Sequence, residues 1–414
     1  MTNWDFQPPP ESKLSDRAIA LESTHLLGKR IALLITGSIA AMKAPLIART
    51  LRRQGADVVA FISDEGLRYT TIEALEWSTT NPVVTKLTAK AEHLSDEDPF
   101  SAYVVAPATY NTINKMSLGI ADSVITSALG SAIGRMERGQ TKILVAPTMH
   151  GSLHNSILTE SLQRLENLGV TIIPPQVANG KNNLPEEIAI AWAVCRTVSN
   201  SPLKDVPILV TGGPTPVPID HIRRLTNRFT GRLGAYIAEE LYLRGAKVKL
   251  IHGIGSYTPS KHLPHQIVTT YDEYLTEVMT QLQQGYQFGI FSAAVADYQP
   301  DQVFPGKIPS GGALSQIDLV ATAKVIQQVR TKFPDLGMIT FKYQEHVSHE
   351  ELIDIAQTRL QQGYQMVVAN RGEEQIGTQV AYLVTKERSP VKVVGKREIA
   401  KAIADYLSSV VSRN

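Results

Sequence analysis

Arg30-Ile31-Ala32-Leu33-Leu34-Ile35-Thr36-Gly37-Ser38-Ile39-Ala40 decides the fold, because the same kind of passage returns as Val206-Pro207-Ile208-Leu209-Val210-Thr211-Gly212-Gly213-Pro214-Thr215. Each is a short apolar run that stops in a turn of small and hydroxyl-bearing residues. An apolar run without polar alternation is buried on both faces, as in a parallel strand. Behind each turn the spacing becomes helical, over about 41–54 in the first case and 234–243 in the second. Gly55-Ala56 then leads into Asp57-Val58-Val59-Ala60-Phe61-Ile62, and Gly245-Ala246 into Lys247-Val248-Lys249-Leu250-Ile251. Two such β-α-β openings predict an α/β chain of two doubly wound, Rossmann-like domains, each a parallel sheet with helices on both faces.

Further buried strands are expected at 102–106, 142–146, 170–173, 288–292, 337–341 and 366–369. Ser199-Asn200-Ser201-Pro202-Leu203-Lys204-Asp205 is short and polar and contains proline, which marks a domain boundary. The expected organisation is a loosely ordered leader over 1–27, with room for one short helix. Domains at 28–198 and 205–414 follow, joined by a linker at 199–204.

At 414 residues with 43% hydrophobic and 19% charged content, the chain can bury sizeable cores. Its 41 basic and 39 acidic residues leave a net charge of +2, which gives no general attraction for nucleic acid or an anionic membrane. Any anion site must therefore be local. The single cysteine, Cys195, excludes an intrachain disulfide, and its apolar, helical surroundings over 188–198 make it a core residue. With no secretory signal and no run of about 18 to 20 apolar residues, the expected location is the cytoplasm.

In doubly wound sheets, ligands sit at the carboxyl ends of strands, near helix N-termini. Three loops of the first half lie there. They are Thr36-Gly37-Ser38-Ile39-Ala40, then Ser63-Asp64, then Ala106-Pro107-Ala108-Thr109-Tyr110-Asn111, which opens a helix reaching Gly119-Ile120-Ala121-Asp122. Each alone is also an ordinary turn. Together, Gly37-Ser38-Ile39-Ala40-Ala41-Met42-Lys43, Ala106 to Thr109 and Pro147-Thr148-Met149-His150 resemble, in order, the motifs of flavin-dependent cysteine decarboxylases. The resemblance covers about 28–175 and implies a flavodoxin-like domain holding FMN. Gly37, Ser38, Ile39, Ser63, Ala106, Pro107, Ala108, Thr109 and Met149 would contact it. It further implies that His93, thirteen residues ahead of Ala106 as in that family, is the acid/base over the flavin. His150 stands where the family has an asparagine that holds the substrate carboxylate. The family's flap cysteine has no counterpart in Pro175-Gln176-Val177-Ala178-Asn179-Gly180-Lys181-Asn182-Asn183.

In the second half, glycines and hydroxyls near a helix start can surround phosphates with backbone donors, and a lysine can supply a point charge. Thr211-Gly212-Gly213-Pro214-Thr215, Pro218-Ile219-Asp220, Thr226-Asn227-Arg228-Phe229-Thr230-Gly231-Arg232-Leu233-Gly234 and Ser292-Ala293-Ala294-Val295-Ala296-Asp297-Tyr298 are similar to the phosphopantothenate–cysteine ligase domain. Lys307-Ile308 follows at the family spacing. That likeness implies nucleotide contacts from Gly212, Gly213, Pro214, Thr215, Ala293, Asp297 and Phe341. It assigns Asn227 and Lys307 to an acyl-cytidylate intermediate, with Mg2+ accompanying CTP. The family's Lys-Ile-Lys-Lys is Lys307-Ile308-Pro309-Ser310 here, and its Gly-Phe-Ala-Ala-Glu-Thr is Thr340-Phe341-Lys342-Tyr343-Gln344-Glu345.

The chain thus resembles the bifunctional phosphopantothenoylcysteine decarboxylase/phosphopantothenate–cysteine ligase family of coenzyme A biosynthesis. Its implied partners are 4′-phosphopantothenate, CTP, cysteine and copies of itself, through trimeric flavin-domain and dimeric ligase-domain contacts. A ligase with a purely structural flavin domain, and a non-catalytic FMN-binding regulatory or assembly subunit, are the competing readings. Neither opening has the Gly-x-Gly-x-x-Gly spacing of a dinucleotide dehydrogenase, and no Walker loop, Gly-x-Ser-x-Gly or zinc spacing occurs.

Overall fold

The structure, a computed structural model, describes residues 6–8, 10–94, 98–309, 311, 316–374 and 377–413. It divides between Ser199 and Asn200 into two compact units. Parts of the expected leader (1–5 and 9), and Ser310 of the lysine loop, lie outside the described residues.

The N-terminal unit runs β1 (Arg30–Ile35), α1 (Ala44–Arg53), β2 (Asp57–Ile62), α2 (Ile72–Thr79), β3 (Ala102–Ala108), α3 (Tyr110–Leu118), α4 (Val124–Glu137), β4 (Lys142–Pro147) and β5 (Met149–His150). Then come α5 (Ser156–Asn167), β6 (Thr171–Ile172), β7 (Gln176–Ala178), β8 (Lys181–Asn183) and α6 (Glu187–Val198). Its main sheet is wholly parallel, in the order β2-β1-β3-β4-β6. The order reverses between β1 and β3, so the loops after these strands part to form a crevice.

Every residue of β1 after Arg30 is buried, as an apolar run in the middle of a covered sheet must be. Leu34, Phe61, Tyr103 and Val145 pack against Ile125 and Leu129 of α4. Burial of side chains this size is worth about 1.5–3 kcal/mol each. The helix expected over 41–54 begins as a 3-10 turn, Ile39–Lys43, and becomes α-helical at Ala44. Pro45 in the first turn explains the change, since a proline there loses no helical hydrogen bond.

No short helix forms among the described residues of 1–27. The end of that stretch is nevertheless tied down. Leu26 is fully buried. The Glu22 and Leu26 backbone N–H groups donate to the Arg53 and Gln54 carbonyls, each at 2.8 Å. These carbonyls end a helix and have no partner within it, so the extended segment caps α1. Cys195 is buried in α6, where burial pushes its thiol up to about 12.

The C-terminal unit contains β9 (Pro207–Gly212), β10 (Val217–Pro218), β11 (Arg224–Leu225), α7 (Arg232–Leu243), β12 (Lys247–Gly253), β13 (His265–Val268), α8 (Tyr271–Leu282), β14 (Phe288–Phe291), β15 (Tyr298–Pro300) and β16 (Leu319–Ala321). It continues through α9 (Val325–Lys332), β17 (Gly337–Gln344), α10 (His349–Leu360), β18 (Met366–Arg371), β19 (Val380–Val384), β20 (Val391–Val394) and α11 (Lys396–Val411). Its eight-stranded sheet has the order β13-β12-β9-β14-β17-β18-β19-β20. Pairing is parallel from β13 to β18, as a doubly wound sheet requires. The last two strands are antiparallel. The link from Arg371 to Val380 is too short for a helical crossover, so the chain can only turn back. Among the described residues, no helix is long and apolar enough to cross a membrane.

Candidate functional site

In the N-terminal unit the three loops are pinned to one another at the carboxyl edge of the sheet. Thr36, buried at the end of β1, donates from Oγ1 to the Pro107 carbonyl at 2.8 Å and accepts from the Thr109 N–H at 3.2 Å. The intervening Ala106–Pro107 peptide is cis. Ser63 N–H reaches the Ile35 carbonyl at 3.1 Å, joining the loop after β2 to the first. Gly37 is required by this closeness: a Cβ there would stand 2.4 Å from the Glu65 Cβ.

Ser38 caps the 3-10 turn by accepting from Ala40 N–H, and Thr109 caps α3 by accepting from Thr112 N–H. Two helical N-termini and several hydroxyls therefore converge, as an anionic ester would require. An open pocket of about 520 Å³ lies between the loop after β2 and the start of α4. Ser63, Asp64, Leu67, Lys86, Asp122 and Ser123 are among its lining residues. Asp122 is held below its ordinary carboxylate range, first by the Lys115 ammonium at 2.6 Å and also by the Thr126 hydroxyl.

His93 is half-buried in a turn, and its Nδ1 is buried with no hydrogen-bond partner among the described residues. Its segment is anchored to α4, where Arg135 donates to the Leu94 carbonyl at 3.4 Å. A buried polar atom without a partner is costly, and a bound polar group would satisfy it.

Met149 is buried, whereas His150 is exposed and its Nδ1 lies 3.0 Å from the Ser152 hydroxyl. The stretch 175–183 is a β-hairpin of β7 and β8, whose inner strand pairs Asn182 with Met149 and Lys181 with His150. Asn179 and Gly180, both with positive φ, make its turn. Asn182 is also 2.6 Å from His154 Nδ1, which ties the hairpin to the segment after β5.

The C-terminal unit brings Gly212, Gly213, Pro214, Thr215, Asn227, Ala293 and the Asp297 loop together. Gly213 has φ +78°, and a Cβ on it would lie 2.4 Å from the Gly253 carbonyl oxygen. Pro214 pairs with Ala294, and Ala296 N–H donates to Thr215 Oγ1 at 2.9 Å. The Asn227 amide donates to the Ala294 carbonyl at 2.7 Å while its Oδ1 accepts from Phe229 N–H. Phe229 in turn meets Tyr343 of β17 edge to face. Asp297 forms an ion pair with Lys324, and Phe341 lies on β17.

Lys307 is exposed on a loop held by Asp220, five residues beyond Thr215. The Asp220 carboxylate accepts from Ile308, Ile222 and Arg223 N–H and from the Arg223 guanidinium. Asp220 and Arg223 were visible as neighbours in sequence, but the reach to residue 308 was not. His252 was missed entirely, a lone histidine inside a strand pattern. It is fully buried, its Nε2 lies 3.3 Å from the Gly231 carbonyl, and burial pushes its imidazole below the usual range.

Burial works against the Asp220 carboxylate, yet its four donors win and hold it well below the usual carboxylate range. A depressed folded pKa contributes stability above the unfolded value of about 3.9, lost as pH falls through the folded value. Asp220→Asn is expected to lower the melting temperature of the C-terminal unit at pH 7 and to flatten its fall below about pH 4. Melting temperatures of both proteins at a series of pH values from neutral to acid would check this. Parallel curves would contradict it.

Two family models match the chain: Flavoprotein over residues 19–199, and DNA/pantothenate metabolism flavoprotein C-terminal domain over residues 203–410. The chain is 34% identical over 403 residues to the coenzyme A biosynthesis bifunctional protein CoaBC of Thermococcus kodakarensis, covering 95% of this chain and 98% of that one. The protein of the same name from Methanocaldococcus jannaschii is 29% identical over 399 residues, with 94% and 96% covered. That from Bacillus subtilis is 26% identical over 352 residues, with 79% and 84% covered.

Proposed function

The chain belongs to the coenzyme A biosynthesis bifunctional family, and from that membership we propose that it ligates 4′-phosphopantothenate to cysteine at the expense of CTP and decarboxylates the product with FMN. The observation that carries the reading is that both halves match their family models while each keeps its loops gathered at the carboxyl edge of its own sheet.

In the N-terminal unit, Gly37, Ser38, Thr109 and the pocket beside Ser63 suit a flavin phosphate and its ring system. Bound FMN would supply two-electron redox chemistry toward the cysteinyl thiol. The chain's own part is to position the substrate and move protons. His93, half-buried with an unpartnered Nδ1, is the group we assign to proton transfer, while the exposed His150 is assigned to the substrate carboxylate. The hairpin 176–183 has no thiol, so reduction of an enethiol product has no cysteine to draw on there.

In the C-terminal unit, the small-residue turn from Gly212 to Thr215 would receive the triphosphate. Asn227, fixed by Ala294, would orient the acyl group. Lys307 would stabilise charge on the mixed anhydride as the carboxylate attacks the α-phosphorus and pyrophosphate leaves. The cysteine amine then attacks the acyl carbon and CMP departs. Among the described residues, no group of three His, Cys, Asp or Glu side chains could hold a metal. Mg2+ would accompany the triphosphate, whose charge it neutralises. The proposal extends to a homo-oligomer of cytoplasmic enzyme subunits.

Purified protein should show flavin absorption in the visible. With phosphopantothenate, CTP, Mg2+ and cysteine it should release pyrophosphate and form phosphopantothenoylcysteine, followed by loss of carbon dioxide. Flavin without pyrophosphate release would sink the ligase assignment and favour a flavin-binding regulatory subunit.

A further inference from the structure

β14 and β17 pair only as far as Phe291 with Thr340. Lys342 therefore stands on the overhanging end of β17, beside the loop that carries Asp297, at the edge where ligands of parallel sheets bind. The charged groups that face it are Arg359 of α10, Asp297 after β14, and Lys324 ahead of α9. Three cations thus share one carboxylate, and that carboxylate is already paired with Lys324. Arg359 is fixed in place by its 3.1 Å bond to the Phe341 carbonyl. Among the described residues the half-buried Lys342 ammonium has neither a hydrogen bond nor an ion pair.

From this unbalanced charge we infer that Lys342, flanked by Arg359 and Lys324, binds a phosphate group of a substrate. The inference rests on the ligase reading for the identity of that substrate. A phosphate would supply counter-charge beyond that of Asp297, which is already paired with Lys324. It would also replace positive charge absent from Lys307-Ile308-Pro309-Ser310, where only the first residue is basic. Burial, followed by Arg359 and Lys324, pushes the Lys342 ammonium below its ordinary range, and a bound anion would oppose that push.

The full chain would be titrated calorimetrically, at low salt, with inorganic tripolyphosphate and separately with 4′-phosphopantothenate. Lys342→Met should weaken one of them about tenfold or more, since a charge-assisted hydrogen bond is lost. Lys342→Arg should retain most of the affinity. Loss confined to tripolyphosphate identifies the nucleotide as the source of the phosphate; loss confined to phosphopantothenate identifies the pantothenate phosphate. Should Lys342→Met fail to fold, Lys324→Met makes the same test from the opposite side of the cluster. Unchanged affinity for both probes in a folded variant overturns the inference. Pyrophosphate release by the unaltered protein is scored separately: its absence with a Lys342-dependent affinity intact rejects the ligase reading alone.

Discussion

Gly253→Ala will destabilise the C-terminal unit by about 3 kcal/mol or more and abolish CTP-dependent pyrophosphate release. A Cβ at this position would lie 1.6 Å from the Pro214 carbonyl oxygen and 2.7 Å from its carbon. No rotamer can relieve a clash between Cβ and backbone, so β12 and the loop after β9 must separate. That loop already packs in the other direction, because a Cβ on Gly213 would meet the Gly253 carbonyl. Gly285→Ala is the control. Unlike Gly253 it has a positive φ, +85°, but a Cβ there meets nothing within 4 Å, so only backbone strain of about 1–2 kcal/mol is expected. Urea melts of the two variants, with visible flavin absorption as a gauge of the N-terminal unit, separate the cases. Equal losses would mean that the close approach of Gly253 to Pro214 is not what the site depends on.

His93→Asn is expected to lower decarboxylation by about 10²- to 10⁴-fold, the usual range for removing a general acid/base. Flavin absorption and ligation should persist. The unpartnered Nδ1 is the physical basis: the imidazole is held half-buried without a structural hydrogen bond to lose at that atom. Asparagine keeps a polar head of similar reach but cannot exchange protons near neutral pH. Single-turnover release of carbon dioxide from phosphopantothenoylcysteine, compared with flavin content, reads the effect. A variant that loses flavin in proportion to activity would place His93 in cofactor retention instead.

The opening strands and their turns were legible in sequence because the information is local. A run such as Ile31 to Ile35 states its own burial, and Gly37-Ser38 or Thr211-Gly212 states the turn that follows. The same holds for Cys195, whose helical apolar neighbours foretold its burial. The short edge strands were less legible: β13 and β20 carry exposed and half-buried residues, so their burial patterns are broken and resemble loops.

By itself, then, the amino-acid order determined two parallel β-α-β units and the loops from which a site could be built, since period and turn chemistry act over a few residues. Only the tertiary structure decided which of those loops meet. Asp220 reaches Ile308, His252 lies under Gly231, and Lys342 comes to face Arg359, Lys324 and Asp297. These partners come from different elements, and their attraction depends on burial and on the cancelling or stranding of charge, which exist only once the sheet has brought the elements together.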